Sequence, residues 1–186
     1  MTRWIFLGFL FIVGFLLITM ARIKNTNDQV PYFLRYDSLA INSDPAVDLK
    51  VKSNYIPTEQ QLEKLQNDYA AIWAHLNYLY QHPNPEPSKE RFTEHFYLNL
   101  ANNYKEGQLG AIERKDLSHS LIIKTWSRDG LSCNLVDSLA KFSYRFPDGS
   151  IETSSATIAV SLLFQGDNWR LDAIRFIDET IKNNSL

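Results

Sequence analysis

Asp137 is the residue of this chain whose position best suits acid–base chemistry. It continues a row of apolar residues, Leu131, Cys133 and Leu135, at every second position of a predicted strand. A carboxylic acid held in an apolar cavity has a raised pKa and can act as a general base. In the alternative interpretation, a bulge in the strand turns Asp137 towards the solvent. We favour the alternative, because the apolar row changes phase directly after this residue.

His95 and Tyr97 are the other candidates for a catalytic role. Both fall on a predicted helix that could approach the same interior. On that helix Phe92 and Phe96 already occupy the positions that face the core, and neighbouring residues on a helix point in different directions. The pattern therefore favours a surface or otherwise hydrogen-bonded position for His95, and we expect no catalytic residue unless Asp137 acts with His95 and Tyr97.

Other chemistry has little support in the sequence. The four histidines, His75, His82, His95 and His119, do not have the spacing of metal ligands, and no glycine-rich phosphate loop is present. We therefore expect no metal and no cofactor. Cys133, the single cysteine, lies in an apolar stretch and is expected to be a core residue. A net charge of −2 without a basic block argues against nucleic acid as a partner.

A row of small polar residues is the candidate interaction surface. Thr153, Ser155 and Thr157 alternate along one predicted strand and so share one face of it. Two interpretations are open: a solvated face, or a flat surface on which a second copy of the chain or another protein packs.

Two helices come before the strands. Thr58 with Gln61 three residues later forms a capping box, and the proline-rich segment at residues 82–87 ends the first helix. Ser88 is the expected cap of a second helix that ends before Gly107. Apolar residues at helical spacing give each helix one face for the core.

From residue 117 onwards the apolar period changes to two. Three turns separate four predicted antiparallel strands, which gives an α+β fold. The apolar residues of the second of these strands change phase between residues 137 and 141, and those of the last strand change phase after Leu171. A change of phase requires an extra residue, so we predict bulges that curve the sheet. Trp169 opens the last strand and is expected to be buried.

The N-terminal segment differs in composition from the rest of the chain. Residues 4–20 are uncharged and apolar and lie between basic residues. As a helix they would measure roughly 26 Å, close to the thickness of a bilayer core. We expect residues 1–21 to be a single-pass membrane anchor, residues 22–57 a linker and residues 58–180 a domain outside the cytoplasm. The alternative is a signal peptide that is cleaved from a secreted protein.

Residues 58–178 resemble the nuclear transport factor 2-like superfamily, which has the cystatin-like α+β roll. The resemblance lies in the two helices, the strands WSRDGLSCNLVDS and KFSYRFPDGS, and the final hairpin LLFQGDNWRLDAIRF. It implies two helices packed on a curved four-stranded sheet that encloses a cone. Enzymes of this superfamily use a carboxylate or histidine base with a tyrosine or aspartate donor inside the cone. The anchored layout is similar to that of inner-membrane assembly components of type IV secretion and conjugation machines.

Two classes of function follow from these features. The first is a membrane-tethered, non-catalytic module that binds a protein partner or forms a homodimer. The second is a small-molecule enzyme of the isomerase, dehydratase or cyclase type, with Asp137 as its base. The anchor and the missing polar cluster around Asp137 favour the first class, and a fold alone does not decide between them.

Overall fold

The computed structural model describes residues 37, 39–40, 45–82, 84–103 and 111–182. They belong to a compact unit that begins at Asp37. The predicted α+β class is confirmed. In chain order the elements are β1 (Ala46–Val51), α1 (Glu59–Gln81), a 3₁₀ helix (Glu86–Arg91), α2 (Glu94–Asn103), β2 (Glu113–Trp126), β3 (Ser132–Arg145), β4 (Ile151–Gln165) and β5 (Asn168–Lys182).

The sheet has five strands in the order β1-β2-β3-β4-β5. Strands β2 to β5 are antiparallel neighbours, as predicted. The additional strand, β1, lies in the range assigned to the linker and pairs in parallel with β2, from Ala46 opposite Ser118 to Val51 opposite Ile123. Val47, Leu49 and Val51 are half-buried and pack against the core, so this part of residues 22–57 belongs to the domain.

The first helix begins and ends where the sequence predicts. The Thr58 side chain accepts a hydrogen bond from the Gln61 backbone N–H, and the Gln61 side chain accepts one from the Thr58 backbone N–H. The helix ends at Gln81, and the His82 backbone N–H donates to the carbonyl of Tyr78. One face of α1 packs on the sheet and buries Leu65, Tyr69, Ile72 and Trp73.

The second helix begins later than predicted. Ser88 does not cap an α-helix; it lies in the 3₁₀ helix, and α2 begins at Glu94. Three prolines in residues 82–87 remove backbone donors and restrict the residues before them, which favours a short tight turn. Thr93 is the cap of α2: its Oγ1 accepts from the Phe96 N–H at 3.3 Å and donates to Asp172 Oδ1 at 2.9 Å.

Bulges occur where the apolar pattern changes phase. Between Asp137 and Ala140, β3 has one more residue than β4 has between Ile158 and Ala156. A second irregularity in the pairing of β4 with β5 falls after Leu171. Both bulges are therefore confirmed, and the bulge in β3 lets apolar residues face the core on both sides of it, at Cys133 and Leu135 before it and at Ala140 and Phe142 after it.

The predicted anchor, residues 4–20, lies outside the described residues. Within the described ranges, no helix combines the length and the apolar character that a bilayer span requires.

Candidate functional site

Asp137 lies in the core, at the bulge of β3. Its exposed fraction is 0%, so the expectation that the bulge turns it to the solvent is wrong. The reason is the position of the extra residue. The phase changes after Asp137, between Asp137 and Ala140, so Asp137 still follows Cys133 and Leu135 on the inner face. Cys133 is itself buried, as predicted, and burial raises the pKa of its thiol to about 12.

The Asp137 carboxylate receives three hydrogen bonds. His119 Nδ1 lies 2.6 Å from Oδ2, Tyr69 Oη donates to Oδ2 at 3.2 Å, and the Ser120 backbone N–H donates to Oδ1 at 2.9 Å. The bond from Ser120 has a clear cause. The pairing of β2 with β3 is interrupted between Ser118 and Leu121, which takes Ser120 out of the regular ladder. At the bulge the Ser120 N–H has no backbone carbonyl of β3 opposite it, and the Asp137 carboxylate accepts this hydrogen bond instead.

His119 is enclosed by two carboxylates. Its Nε2 lies 3.3 Å from Asp116 Oδ2, while Nδ1 faces Asp137. Each carboxylate can accept a hydrogen bond from the ring nitrogen that faces it, so this arrangement favours the imidazolium form, in which both nitrogens carry a proton. Burial lowers the pKa of His119, but the bonds to Asp116 and Asp137 outweigh it and hold this pKa above its ordinary value.

The cluster continues towards the C-terminal half of α1. Asn77 Nδ2 donates to Asp116 Oδ1 at 2.6 Å, and Arg114 Nε donates to Asn77 Oδ1 at 2.8 Å. The guanidinium of Arg114 lies over the rings of Trp73, Tyr80 and Phe142 at 5.1 to 5.6 Å from their centroids. The two carboxylates thus lie in one chain of hydrogen bonds with the His119 ring and the Arg114 guanidinium, and such pairing is how buried charges become tolerable.

Aromatic rings surround this polar chain. Trp73 stacks on His119 with centroids 5.2 Å apart, and Tyr69 meets the His119 ring edge-on at the same distance. Phe142 packs against Trp73 at 4.8 Å. Tyr69 and Trp73 are each 1% exposed. Asp137 has the partners that a general base would have, a histidine and a tyrosine. These three side chains are buried in the core.

His95 and Tyr97 do not join the cluster. His95 is exposed and bonds Asn99 on its own helix, and Tyr97 donates to Glu86 Oε2 at 2.7 Å in the 3₁₀ helix. The bond to Glu86 raises the pKa of Tyr97. The surface position predicted for His95 is confirmed, whereas Tyr97 is half-buried and packs against the core. Neither residue hydrogen-bonds Asp137, so their catalytic alternative loses its geometric basis.

A second polar network was not predicted. Ser88 Oγ lies 3.0 Å from His75 Nδ1, and His75 Nε2 lies 3.0 Å from Asp37 Oδ1. Arg91 donates to the other oxygen of Asp37 through Nε and a terminal nitrogen. Although burial raises the pKa of Asp37, His75 and then Arg91 outweigh it and hold that pKa well below its ordinary value. Ser88 is completely buried, so the network ties the 3₁₀ helix and residue 37 to α1 and leaves no accessible nucleophile.

Thr153, Ser155 and Thr157 lie on the outer face of the sheet. All three are half-buried, and they alternate with the inward-facing Ser154 and Ala156. Thr153 and Ser155 are opposite residues of β3 on one side, and all three are opposite residues of β5 on the other, so the face they share continues onto the neighbouring strands.

The sequence missed His119 and Tyr69 as partners of Asp137. A usable signal was present: His119 is in phase with Leu121 and Ile123, which places a histidine in the inward row of β2. Tyr69 lies in the apolar stripe of α1, where its hydroxyl requires a buried partner.

In the part of the chain that the structure describes, no group of three or more His, Cys, Asp or Glu residues is arranged to hold a metal ion. No family model matches the sequence, and no curated protein is significantly similar to it. The functional argument therefore depends on the contacts described above.

Proposed function

We propose that this chain is a membrane-tethered, non-catalytic binding module of the nuclear transport factor 2-like kind. Residues 4–20 hold it in the membrane, and the domain acts outside the cytoplasm. It binds a protein partner, or a second copy of itself, through the outer face of its sheet. The observation that carries the proposal is the closed, fully bonded environment of Asp137.

A general base must contact the proton that it removes. Asp137 instead contacts three donors of the protein itself, and its exposed fraction is 0%. Its bond to the Ser120 N–H replaces a ladder bond lost at the bulge, so the carboxylate has a structural task. A substrate could reach it only if Tyr69, His119 or their aromatic neighbours moved, at the cost of exposing two buried charges.

The outer face of the sheet, not the Asp137 cluster, is the proposed binding surface. Thr153, Ser155 and Thr157 are small and half-exposed, and small side chains lose little conformational entropy when a partner covers them. A tether at residues 4–20 would raise the effective concentration of this face for partners in the same membrane. Assembly components of secretion and conjugation machines have such a layout, which supports the proposal by resemblance.

Glutamates at the three outer-face positions test the proposal. The variant Thr153→Glu, Ser155→Glu, Thr157→Glu should abolish self-association or partner capture in membranes, as detected by cross-linking of the full-length chain. A matched control adds three negative charges on the exposed side of α1: Gln60→Glu, Asn67→Asp, Gln81→Glu. Equal cross-linking in the wild type and both variants would contradict the proposal.

The second candidate is an enzyme whose base is Asp137, and the cluster with His119 and Tyr69 is the observation in its favour. Tyr69→Phe separates the two candidates. It removes one of three donors to Asp137, while the other two remain. An enzyme that uses this hydroxyl to stabilise developing charge should lose activity about 100-fold or more, whereas a binding module should keep its cellular function.

A further inference from the structure

The outer face of the sheet contains a groove of about 310 Å³ next to the row of small polar residues. It crosses β2, β3, β4 and β5. Lys124 lies on one side of it and Arg175 on the other, and Val136, Ala159 and Ala173 lie between them. The alanines leave the space that larger side chains would fill.

The two cations of this groove are available. Lys124 and Arg175 are exposed, and neither makes an ion pair or hydrogen bond with another described residue through its side chain. The residues that line the groove include no carboxylate. The chain as a whole has a net charge of −2, so this groove is a local positive site on an acidic protein.

We infer that this groove binds an extended, acidic segment of a partner protein; the inference builds on the proposed function. Lys124 and Arg175 are three strand spacings apart, or roughly 14 Å across the sheet, and Lys124 is displaced along β2 from Ile122, the residue in register with Arg175. Four residues of extended chain span about 13 Å, and side chains four positions apart point to the same side. Two carboxylates at positions i and i+4 of an extended segment can therefore reach both cations.

Charge excludes the other occupants. A two-fold symmetric contact of this groove with itself would bring like charges together, which argues against a second copy at this place. Anionic lipid surfaces are recognised by clusters of about four to eight basic residues, and nucleic acids by many phosphate contacts. Two cations across a narrow groove suit a short acidic peptide segment.

The test uses the full-length chain in nanodiscs of phosphatidylcholine. The probe is a fluorescein-labelled pentapeptide, Glu-Val-Ala-Val-Glu, compared with Lys-Val-Ala-Val-Lys, and binding is measured by fluorescence anisotropy. The wild type should bind the acidic peptide and not the basic one. Lys124→Glu with Arg175→Glu should lose at least about tenfold in affinity for the acidic peptide and should capture the basic one.

Lys52→Glu with Arg128→Glu is the matched control, since it changes the net charge equally at exposed positions outside the groove. An equal loss in this control would show that net charge, not the groove, attracts the peptide. Ala159→Gln changes no charge but fills the groove, and it should also weaken binding. The inference would be overturned if the wild type did not bind the acidic peptide, or if the bound peptide were displaced in nanodiscs of phosphatidylserine. The proposed function is tested separately, by cross-linking of the Thr153, Ser155 and Thr157 variant. A failure of peptide binding in the groove therefore leaves the proposed function standing.

Discussion

His119 Nδ1 lies 2.6 Å from Asp137 Oδ2, and neither side chain is exposed to solvent. This ion pair joins β2 to β3 at the place where their ladder is interrupted. Side-chain contacts of Asp137 therefore take the place of regular backbone pairing here, and we expect the stability of the bulge to depend on them.

Asp137→Asn should destabilise the domain. Asparagine has the shape of aspartate, but its amide group would face one of the three donors, and His119 would lose a charge partner. Removal of one partner of a buried ion pair typically lowers the free energy of unfolding by about 3–5 kcal/mol. Urea unfolding of the detergent-solubilised full-length chain, followed by circular dichroism, measures this. Asp167→Asn, in the exposed turn before β5, is the control and should change the free energy by less than about 0.5 kcal/mol. A loss as small as that of the control would show that the pair is dispensable.

The stability of the domain should fall as the pH rises above the ordinary histidine pKa of about 6.5. The pKa of His119 is raised in the folded state, and the groups that face it are Asp116, Asp137 and Tyr69. Its contribution is fully present below the unfolded pKa of about 6.5 and is lost as the pH rises through the folded pKa. Urea midpoints measured in steps from pH 6 upwards should show this decline. A midpoint independent of pH over that range would contradict an imidazolium at position 119.

Trp169→Ala should remove a large part of the core. The Trp169 side chain is 2% exposed, packs on Trp126 and Phe164 at 5.1 and 5.4 Å, and its backbone N–H donates to Asp68. Truncation of such a residue costs about 3–5 kcal/mol. The measurement is again urea unfolding, with the half-exposed Tyr55→Ala as the comparison. A Trp169→Ala variant as stable as the Tyr55 variant would refute this placement in the core.

Residues 4–20 should remain in the mature protein and hold it in the membrane. Alkaline carbonate extraction should leave the full-length chain in the membrane pellet, because an apolar helix of this length resists it. Recovery of a soluble form that begins near Arg22 would establish cleavage of a signal peptide instead.

Local patterns predicted the parts of the fold that local contacts determine. The cap at Thr58 is one example, and the turns at Gly130 and Gly149 are others, with φ of 74° and 85°. The bulge after Asp137 was also predictable, because a phase change is visible in the sequence of one strand.

Contacts between distant positions were not predictable in this way. Tyr69 and His119 reach Asp137 across 68 and 18 positions of the chain. The pattern around each residue places its side chain towards the core, but it does not specify which other side chain it meets there. The strand β1 did alternate apolar and polar residues, but a parallel partner leaves no hairpin turn to reveal it.

The parallel pairing of β1 with β2 also affects the order of events during synthesis. Ala46 must wait for Ser118, 72 positions later, before it can pair. At about 5–20 residues per second, translation of that stretch takes roughly 4–14 s. In refolding of the complete chain, the antiparallel hairpins from β2 to β5 close much shorter loops than the β1–β2 pair, which costs less conformational entropy. We therefore expect β1 to join a sheet that is already assembled, and its amides to be protected last when refolding is followed by pulsed hydrogen exchange.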